Sequence, residues 1–190
     1  KWLDDLKLRL SFGTAGNNNI PVGQLSQMYE AMTGSATGWV NGFTTMWAPS
    51  KNMANPDLKW ESTAQFNVGV DFGFLNRING SLEFYHKKTS DLLWTYPVPQ
   101  PPYLVGTMLA NVGDMVNKGV ELTLGANIVR TKDFSLSANA SLAYNKQEIT
   151  KLSNSQYQAV GLQAGSLHNI RGLSGVYSQV IEEGYAAGEF

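Results

Sequence analysis

Residues 58–74 read LKWESTAQFNVGVDFGF, and every even-numbered position in this stretch except Ser62 is apolar. The odd-numbered positions carry polar or charged side chains or are glycine. Because successive side chains of a β-strand point to opposite faces, this alternation predicts one strand with one apolar face. The stretch would extend ~55 Å at ~3.3 Å per residue, whereas strands of globular proteins average ~5–6 residues. Such a length favours the wall of a membrane barrel, where ~9–11 residues cross the hydrocarbon core.

Four other stretches show the same period of two, at residues 6–12, 78–88, 116–129 and 134–147. With the first stretch they predict five strands, at 6–15, 58–74, 77–93, 116–130 and 134–149. The final residues, 184–190, indicate the approach to a further strand. Because the smallest single-chain membrane barrels have about eight strands, we predict an all-β fold in which five to six long antiparallel strands form a sector of a larger transmembrane β-barrel.

The connections between these strands alternate in length. The joins near Leu75-Asn76 and Thr131-Lys132-Asp133 are short, whereas residues 17–57, 94–115 and 150–180 are long connections. Outer-membrane barrels have short periplasmic turns and longer extracellular loops, so the strand at 58–74 is predicted to run down toward the periplasm. The proline-rich run at 97–102 cannot donate a full ladder of hydrogen bonds and is expected in an outer loop.

Composition excludes several classes of protein. Charged residues make up 15% of the chain, against ~25% in typical soluble domains. The net charge of −1 gives no basic stripe for nucleic acid. The absence of cysteine removes disulfides and thiolate metal sites. No run of apolar residues is long enough for a transmembrane helix, and the first residues do not form a signal peptide, so an export signal is expected upstream of Lys1.

The central motifs resemble those of a known family. They are Asn55-Pro56-Asp57-Leu58-Lys59-Trp60-Glu61, the run DFGFLNRINGSLEFY at 71–85, the run KKTSDLL at 87–93, and Asn111-Val112-Gly113 followed by NKGVEL at 117–122. In these motifs the chain resembles the barrel of SusC/RagA-type TonB-dependent outer-membrane transporters of the Bacteroidetes, and the similarity extends over nearly its whole length.

This resemblance implies a large, plugged barrel of the ~22-stranded class. Residues 1–190 would all belong to the barrel domain, and the plug and the TonB-contacting segment would lie outside this chain. The implied location is the bacterial outer membrane, crossed by many strands. The implied function is import of an oligosaccharide or peptide nutrient with a SusD-like surface lipoprotein as partner and TonB as the source of energy.

Two other functions fit the same alternation of residues. A passive porin has the same wall without a plug or a TonB segment. A soluble β-sandwich or solenoid could serve as a binding or adhesion module. The residues upstream of Lys1 would distinguish a passive porin from a TonB-dependent transporter. Recovery of the complete protein without detergent would support the soluble module.

The residues offer little basis for catalysis. The two histidines are His86, on the outward-facing parity of its strand, and His168, in a loop without a serine or carboxylate pattern beside it. A hydrolase triad or a zinc site is therefore not indicated. We expect no enzyme activity, no cofactor and no bound metal.

Two groups of side chains are candidates for contact with cargo or partner. Aromatic residues of the first long connection could stack on sugar rings or anchor the lipoprotein lid: Tyr29, Trp39, Phe43 and Trp47. Charged residues on the odd-numbered face are expected to point into the lumen: Lys59, Glu61, Asp71, Glu83 and Glu121. The alternatives are packing within the loop and a solvated inner wall. Residues near the outer strand ends are predicted to form an aromatic girdle: Trp60, Trp94 and Tyr96.

Overall fold

The described part of the chain consists of β-strands joined by turns and irregular segments. The computed structural model describes residues 2–31, 47–49, 53–100, 103–153, 162–167 and 175–188. Five long strands form one sheet: β1 (Leu3–Asn17), β4 (Glu61–Phe74), β5 (Ile78–Pro97), β6 (Thr107–Arg130) and β7 (Ser135–Lys151). Four short strands form two small antiparallel sheets: β2 (Tyr29–Ala31) with β3 (Trp47–Pro49), and β8 (Leu162–Ser166) with β9 (Tyr177–Ile181).

The large sheet follows chain order, β1-β4-β5-β6-β7, and every neighbouring pair is antiparallel. Its first and last strands do not pair with each other within the described residues, so the sheet is an open sector. This confirms the predicted fold class. It also confirms all five predicted long strands, with ends that differ by a few residues except at the start of β6.

The registers keep the alternation in phase across all five strands. An apolar row contains one even-numbered residue from each strand: Leu8, Val70, Leu82, Leu122 and Leu142. The next row contains one odd-numbered residue from each strand: Lys7, Asp71, Ser81, Thr123 and Ser141. We call the even side the apolar face and the odd side the polar face. Among the residues that the structure describes, none covers the apolar face at its edges, where Phe12 is 71% exposed and Leu142 is 70% exposed.

Both predicted short turns are present at one end of the sheet. Leu75 and Asn76 have φ angles of 55° and 51°, and Arg77 N–H donates to the Phe74 carbonyl at 3.0 Å. Consecutive left-handed residues match the twist of a tight hairpin. In the second turn Thr131 N–H donates to the Phe134 carbonyl at 2.7 Å.

β5 and β6 extend further than the alternation predicted. They pair up to Pro97 and Thr107, so the long connection predicted at 94–115 was wrong in extent and contains only residues 98–106. Register shifts between residues 89 and 93 interrupt the ladder, where Asp91 has a φ of 58°. Polar residues at Ser90 and Asp114 break the apolar set there. The alternation of apolar and polar residues therefore predicts a strand only as far as the bulge, although strand pairing resumes beyond it.

A small core lies at the extended end of β5 and β6, beyond the apolar face. Tyr96, Ala110 and Val112 are buried there, and the Tyr96 hydroxyl donates to the Leu152 carbonyl at 2.9 Å. The assignment of Tyr96 to an exposed girdle was wrong, because its hydroxyl finds an acceptor and the ring can be enclosed. Burial, together with the nearby charge of Glu183, raises the pKa of Tyr96 to about 12.

Candidate transport surface

Charged residues on the polar face are brought together by the pairing of β1, β4 and β5. Arg9 lies opposite Gly69, and a Cβ at that glycine would lie 3.0 Å from Arg9 Cζ. Arg9 Nη2 donates to Asp71 Oδ1 at 2.9 Å and to Glu83 Oε2 at 3.4 Å. One guanidinium thus joins carboxylates from two other strands. The glycine provides the space in which it lies.

Glu121 extends this acidic cluster onto β6. It is the direct cross-strand partner of Glu83 and is exposed. Like charges directly opposite each other on one face destabilise a sheet. Arg9 forms ion pairs with Asp71 and Glu83, while Glu121 has no ion pair among the residues that the structure describes. The carboxylate of Glu121 is therefore accessible to a cation from outside this part of the chain.

One aromatic side chain covers a gap in the polar face. The ring of Tyr85 lies over Gly119, where an added Cβ would meet Tyr85 Cζ and the Tyr144 carbonyl oxygen, each at 2.6 Å. The Tyr85 hydroxyl donates to Asn145 Oδ1 at 3.1 Å. Tyr85 therefore spans β6 and reaches β7, an arrangement in which an aromatic residue packs over a cross-strand glycine.

The two charged residues predicted nearest the outer end of the polar face are held by different contacts. The Glu61 carboxylate accepts a hydrogen bond from Asn17 Nδ2 at 2.8 Å and one from Leu93 N–H at 3.0 Å, which links β1, β4 and β5. Lys59 precedes β4, and its side chain is exposed. Glu61 is thus engaged in local structure, whereas the Lys59 ammonium remains open to solvent.

The segment that precedes β4 is docked along the extension of β6 by two asparagines. Asn111 Oδ1 accepts from Lys59 N–H at 2.8 Å, and Asn111 Nδ2 donates to the carbonyls of Lys59 and Asp91 at 2.9 and 2.7 Å. Asn55 Nδ2 donates to the Leu109 carbonyl at 2.9 Å. Asn55 Oδ1 accepts from Asp57 N–H at 3.1 Å, which forms an Asx turn before the strand. The two asparagine side chains fix the entry into β4.

Two of the four predicted aromatic residues of the first long connection lie within the described residues. Tyr29 lies in β2 and is 53% exposed, and its backbone pairs with Pro49 of β3. Trp47 lies in β3, where its backbone pairs with Ala31. Trp39 and Phe43 lie outside the described residues. The pairing of β2 with β3 therefore brings the backbones of two predicted residues to neighbouring strands.

The other girdle candidates differ from Tyr96. Trp60 is 61% exposed and Trp94 is 37% exposed. The ring of Trp60 lies beside Gly16, where an added Cβ would be 3.2 Å from Trp60 Cε3. Both tryptophans therefore present apolar surface near the outer ends of their strands, as a girdle requires.

Sequence reasoning placed Asp71, Glu83 and Glu121 on one face, and the structure brings them together on three adjacent strands. It missed Arg9 and Asn111. The position of Arg9 opposite a glycine becomes apparent only from the register of β1 with β4. For Asn111 the available signal was the motif Asn111-Val112-Gly113, which contributes to the family resemblance but does not indicate which atoms Asn111 binds.

The described ranges contain no group of three or more histidine, aspartate or glutamate side chains that could hold a metal ion. No helix in the same ranges is long and apolar enough to cross a membrane. His86 lies on the apolar-face side of β5, opposite Phe66 and Lys118, and His168 lies outside the described residues.

Curated proteins with related sequences are TonB-dependent receptors. SusC of Bacteroides thetaiotaomicron is 33% identical over 189 residues, which cover 99% of this chain and 19% of SusC. The TonB-dependent receptor P39 of Formosa agariphila is 34% identical over 154 residues, which cover 80% of this chain and 14% of P39. The chain thus spans less than a fifth of the length of these relatives.

Solved structures agree with the sequence relatives. The RagAB peptide importer in its closed-closed state superposes with a TM-score of 0.72 at 30% identity, over 97% of this chain and 18% of that chain. Its open-open state gives a TM-score of 0.69 at 36% identity, over 80% of this chain and 16% of that chain. The family described as TonB dependent receptor-like, beta-barrel matches residues 1–182. The chain therefore belongs to the family of TonB dependent receptor-like β-barrels, within the SusC/RagA type.

Proposed function

We propose that this chain forms part of the barrel wall of an energised importer in the bacterial outer membrane. Its cargo is an oligosaccharide, with a peptide as the alternative class. A SusD-like surface lipoprotein captures the cargo, and TonB supplies the energy through a segment outside this chain. The names of the relatives support the proposal, because they include TonB-dependent receptors and a peptide importer.

The observation that carries this proposal is the division of the sheet into two faces. The apolar face runs without a charged residue along β4 from Phe66 to Phe74 at every second position. At ~3.4 Å per residue these residues span ~27 Å along the strand. With a strand tilt of ~40° the band is ~21 Å tall before side-chain lengths are added, close to the ~25 Å apolar band of outer-membrane barrels. This face is suited to lipid.

The polar face then lines the lumen. It presents uncharged amides and hydroxyls together with the cluster of Arg9, Asp71, Glu83 and Glu121. Because Arg9 is paired with Asp71 and Glu83, Glu121 is the carboxylate best placed to form an ion pair with a lysine or arginine of the plug.

The outer end supports a mouth built from loops. The segment at 53–60 is held against β6 by Asn55 and Asn111, and the paired strands β2 and β3 precede it in the chain. Tyr29 presents an exposed ring near this end. We include Tyr29, Trp39, Phe43 and Trp47 as contacts for cargo or for the lipoprotein, because aromatic side chains stack on sugars and anchor protein interfaces.

Import is tested with the complete gene in its host. A strain that lacks the gene should lose growth on one class of polymer or peptide, and the complete gene should restore it. Uptake that persists in a strain without TonB would support a passive porin instead. Recovery of the complete protein from the aqueous fraction, without detergent, would support the soluble binding module and overturn the proposed location.

The lipoprotein partner is tested separately by gentle detergent extraction of the tagged complete protein. Co-purification of a surface lipoprotein in a fixed ratio is the expected result. A barrel that is purified alone, under conditions in which its import activity is retained after reconstitution, would contradict the partner assignment.

A further inference from the structure

The apolar face ends in a row of basic residues on three adjacent strands. His86 pairs with Lys118, and Lys118 pairs with Lys146, so the three positions lie side by side across β5, β6 and β7. We call these three residues the basic row. Lys88 lies on the same face one row further along β5. All four side chains are exposed.

The depth of the basic row in the membrane can be inferred from where the apolar residues end on each strand. On β1 and β4 the same row contains Phe12 and Phe66, so its apolar end lies in the lipid band. At the opposite end of the sheet the apolar set continues further on β7, where Leu136 lies beyond the row that joins Phe74 to Ile78. From β1 to β7, both the outer end and the inner end of the apolar set are therefore displaced toward the end of the sheet that carries the short turns. Strands tilted by ~35–45° to the membrane normal are expected to show this displacement.

This tilt places the basic row at the level of the lipid headgroups. Four strand spacings of ~4.8 Å separate β1 from β7, and a tilt of ~40° converts them into a change in height of ~12 Å. A row that begins at Phe12 in the hydrocarbon therefore emerges at the outer surface by Lys146. Lysine side chains at this depth extend their ammonium groups toward the interface.

Two lysines of the basic row repel each other across neighbouring strands, and the described residues neutralise only one of them. Lys118 and Lys146 are direct partners, and like charges in that relation destabilise a sheet. Lys146 Nζ forms an ion pair with Glu148 Oε2 at 3.1 Å. In the described part of the chain Lys88 and Lys118 have no ion pair. On the polar face the corresponding pair, Glu83 with Glu121, lies beside Arg9.

We propose that the basic row, with Lys88, binds the phosphate group of a lipid in the outer leaflet. Neighbouring strands lie ~4.8 Å apart, so the side chains of Lys118, Lys146 and Lys88 can converge on one phosphate and form charge-assisted hydrogen bonds. The acyl chains then lie against apolar residues of the rows below, including Phe84 and Val120. The inference rests on the proposed membrane location and adds a lipid site to it.

The test uses the full-length transporter, purified in a non-ionic detergent, with native mass spectrometry as the readout. The probes are lipid A and the same lipid after its phosphate has been removed. The wild-type protein should prefer the phosphorylated lipid by about tenfold, the effect of one charge-assisted hydrogen bond at the weak end of its usual range. The double variant Lys118→Gln/Lys146→Gln should lose most of that preference.

The control is Lys7→Gln/Lys87→Gln, which removes the same charge from the polar face, where Lys87 is the sequence neighbour of Lys88. It should keep the wild-type preference. An equal loss in both double variants, or an unchanged preference in Lys118→Gln/Lys146→Gln, overturns the proposal. Displacement of the lipid by millimolar inorganic phosphate also overturns it, because the site would then be one for free anions.

The two proposals fail separately in this design. Heat-modifiable mobility on gels reports whether each variant barrel is folded, and growth of the host reports import. A folded, importing transporter without phosphate-dependent lipid binding refutes the lipid site and leaves the proposed function intact. Lipid binding in a protein that does not import refutes the transport function and leaves the lipid site intact.

Discussion

Glu83 and Glu121 face each other directly across β5 and β6, and Arg9 Nη2 lies 3.4 Å from Glu83 Oε2 while its ion pair with Asp71 is 2.9 Å long. The guanidinium therefore reduces the repulsion between the two glutamates from one side. Three strands depend on this one side chain for electrostatic balance on the polar face. The arrangement gives opposite expectations for removing the cation and for removing the unpaired carboxylate.

Replacement of Arg9 by methionine, which retains most of the aliphatic length, should lower the urea concentration at which the complete barrel unfolds in lipid vesicles. The further change Glu83→Gln should recover part of the loss, because it removes one of the uncompensated charges. In a barrel without its plug, where no plug cation can pair with Glu121, Glu121→Gln should raise the midpoint slightly because it removes the repulsion from Glu83. A midpoint that is unaffected by Arg9→Met would show that the network has no role in stability.

Leu122 and Thr123 are adjacent in sequence and lie on opposite faces of β6. Leu122→Arg places a charge at the middle of the apolar face and should cost about 2–4 kcal/mol of barrel stability. Thr123→Arg adds the same charge to the polar face and should cost much less. Folding into the membrane, scored by heat-modifiable mobility, distinguishes the two variants. Equal effects would mean that the faces are assigned incorrectly.

Gly119→Ala should destabilise the barrel by about 1–3 kcal/mol through overpacking. The added methyl group would lie 2.6 Å from the Tyr144 carbonyl oxygen and 2.6 Å from Tyr85 Cζ. Gly13→Ala is the matched control, because a Cβ there meets nothing within 4 Å. Addition of Tyr85→Ala should relieve only the side-chain part of the clash. Urea unfolding in vesicles measures all four proteins, and similar midpoints for the two alanine variants would contradict the packing described.

Tyr96→Phe removes the hydrogen bond that the hydroxyl donates to the Leu152 carbonyl. Both residues are buried, so the carbonyl is left without this donor and the local cost should be about 1–3 kcal/mol. Limited proteolysis should show faster cleavage between β7 and β8. Tyr85→Phe, which loses a hydroxyl on the polar face, should leave that cleavage rate unchanged.

The same tyrosine predicts a dependence on alkaline pH. Its pKa is raised to about 12 in the folded chain, against about 10 in an unfolded one, so the folded state favours the neutral phenol. The contribution is complete below pH ~10 and is lost as the pH rises from ~10 to ~12. Cleavage between β7 and β8 by an alkaline-active protease should accelerate over this range in the wild-type protein more than in Tyr96→Phe. Parallel pH profiles would contradict the assignment.

Asn111→Ala removes three hydrogen bonds that join β6 to Lys59 and Asp91. Hydrogen exchange of the amides at 53–60 should become faster, while exchange in the middle of β4 should not change. Asn111→Asp keeps the acceptor for Lys59 N–H and loses both donated bonds, so it should give an intermediate rate. Unaltered exchange in Asn111→Ala would show that the segment is held by other contacts.

The strands could be predicted because their signal is local. Alternation along β4, and the short joins at Leu75-Asn76 and Thr131-Lys132-Asp133, are properties of neighbouring residues and need no partner to be recognised. The extension of β6 to Thr107 could not be predicted in the same way, because Ser90 and Asp114 interrupt the pattern at the bulge. The burial of Tyr96 depends on Leu152, 56 residues away, and was invisible for the same reason.

Alternation along the amino-acid sequence was sufficient to predict long two-faced strands, since a period of two fixes the face of each side chain within its own strand, and the short joins were sufficient to predict that neighbouring strands run antiparallel. The contacts across the strands became apparent only from the folded sheet: Arg9 with Asp71 and Glu83, Asn111 with Lys59, and Lys118 beside His86 and Lys146. They could not be predicted because register is set by hydrogen bonds between segments distant in the chain, and a shift of one residue would exchange the two faces. Both the acidic cluster and the basic row exist only because that register is fixed.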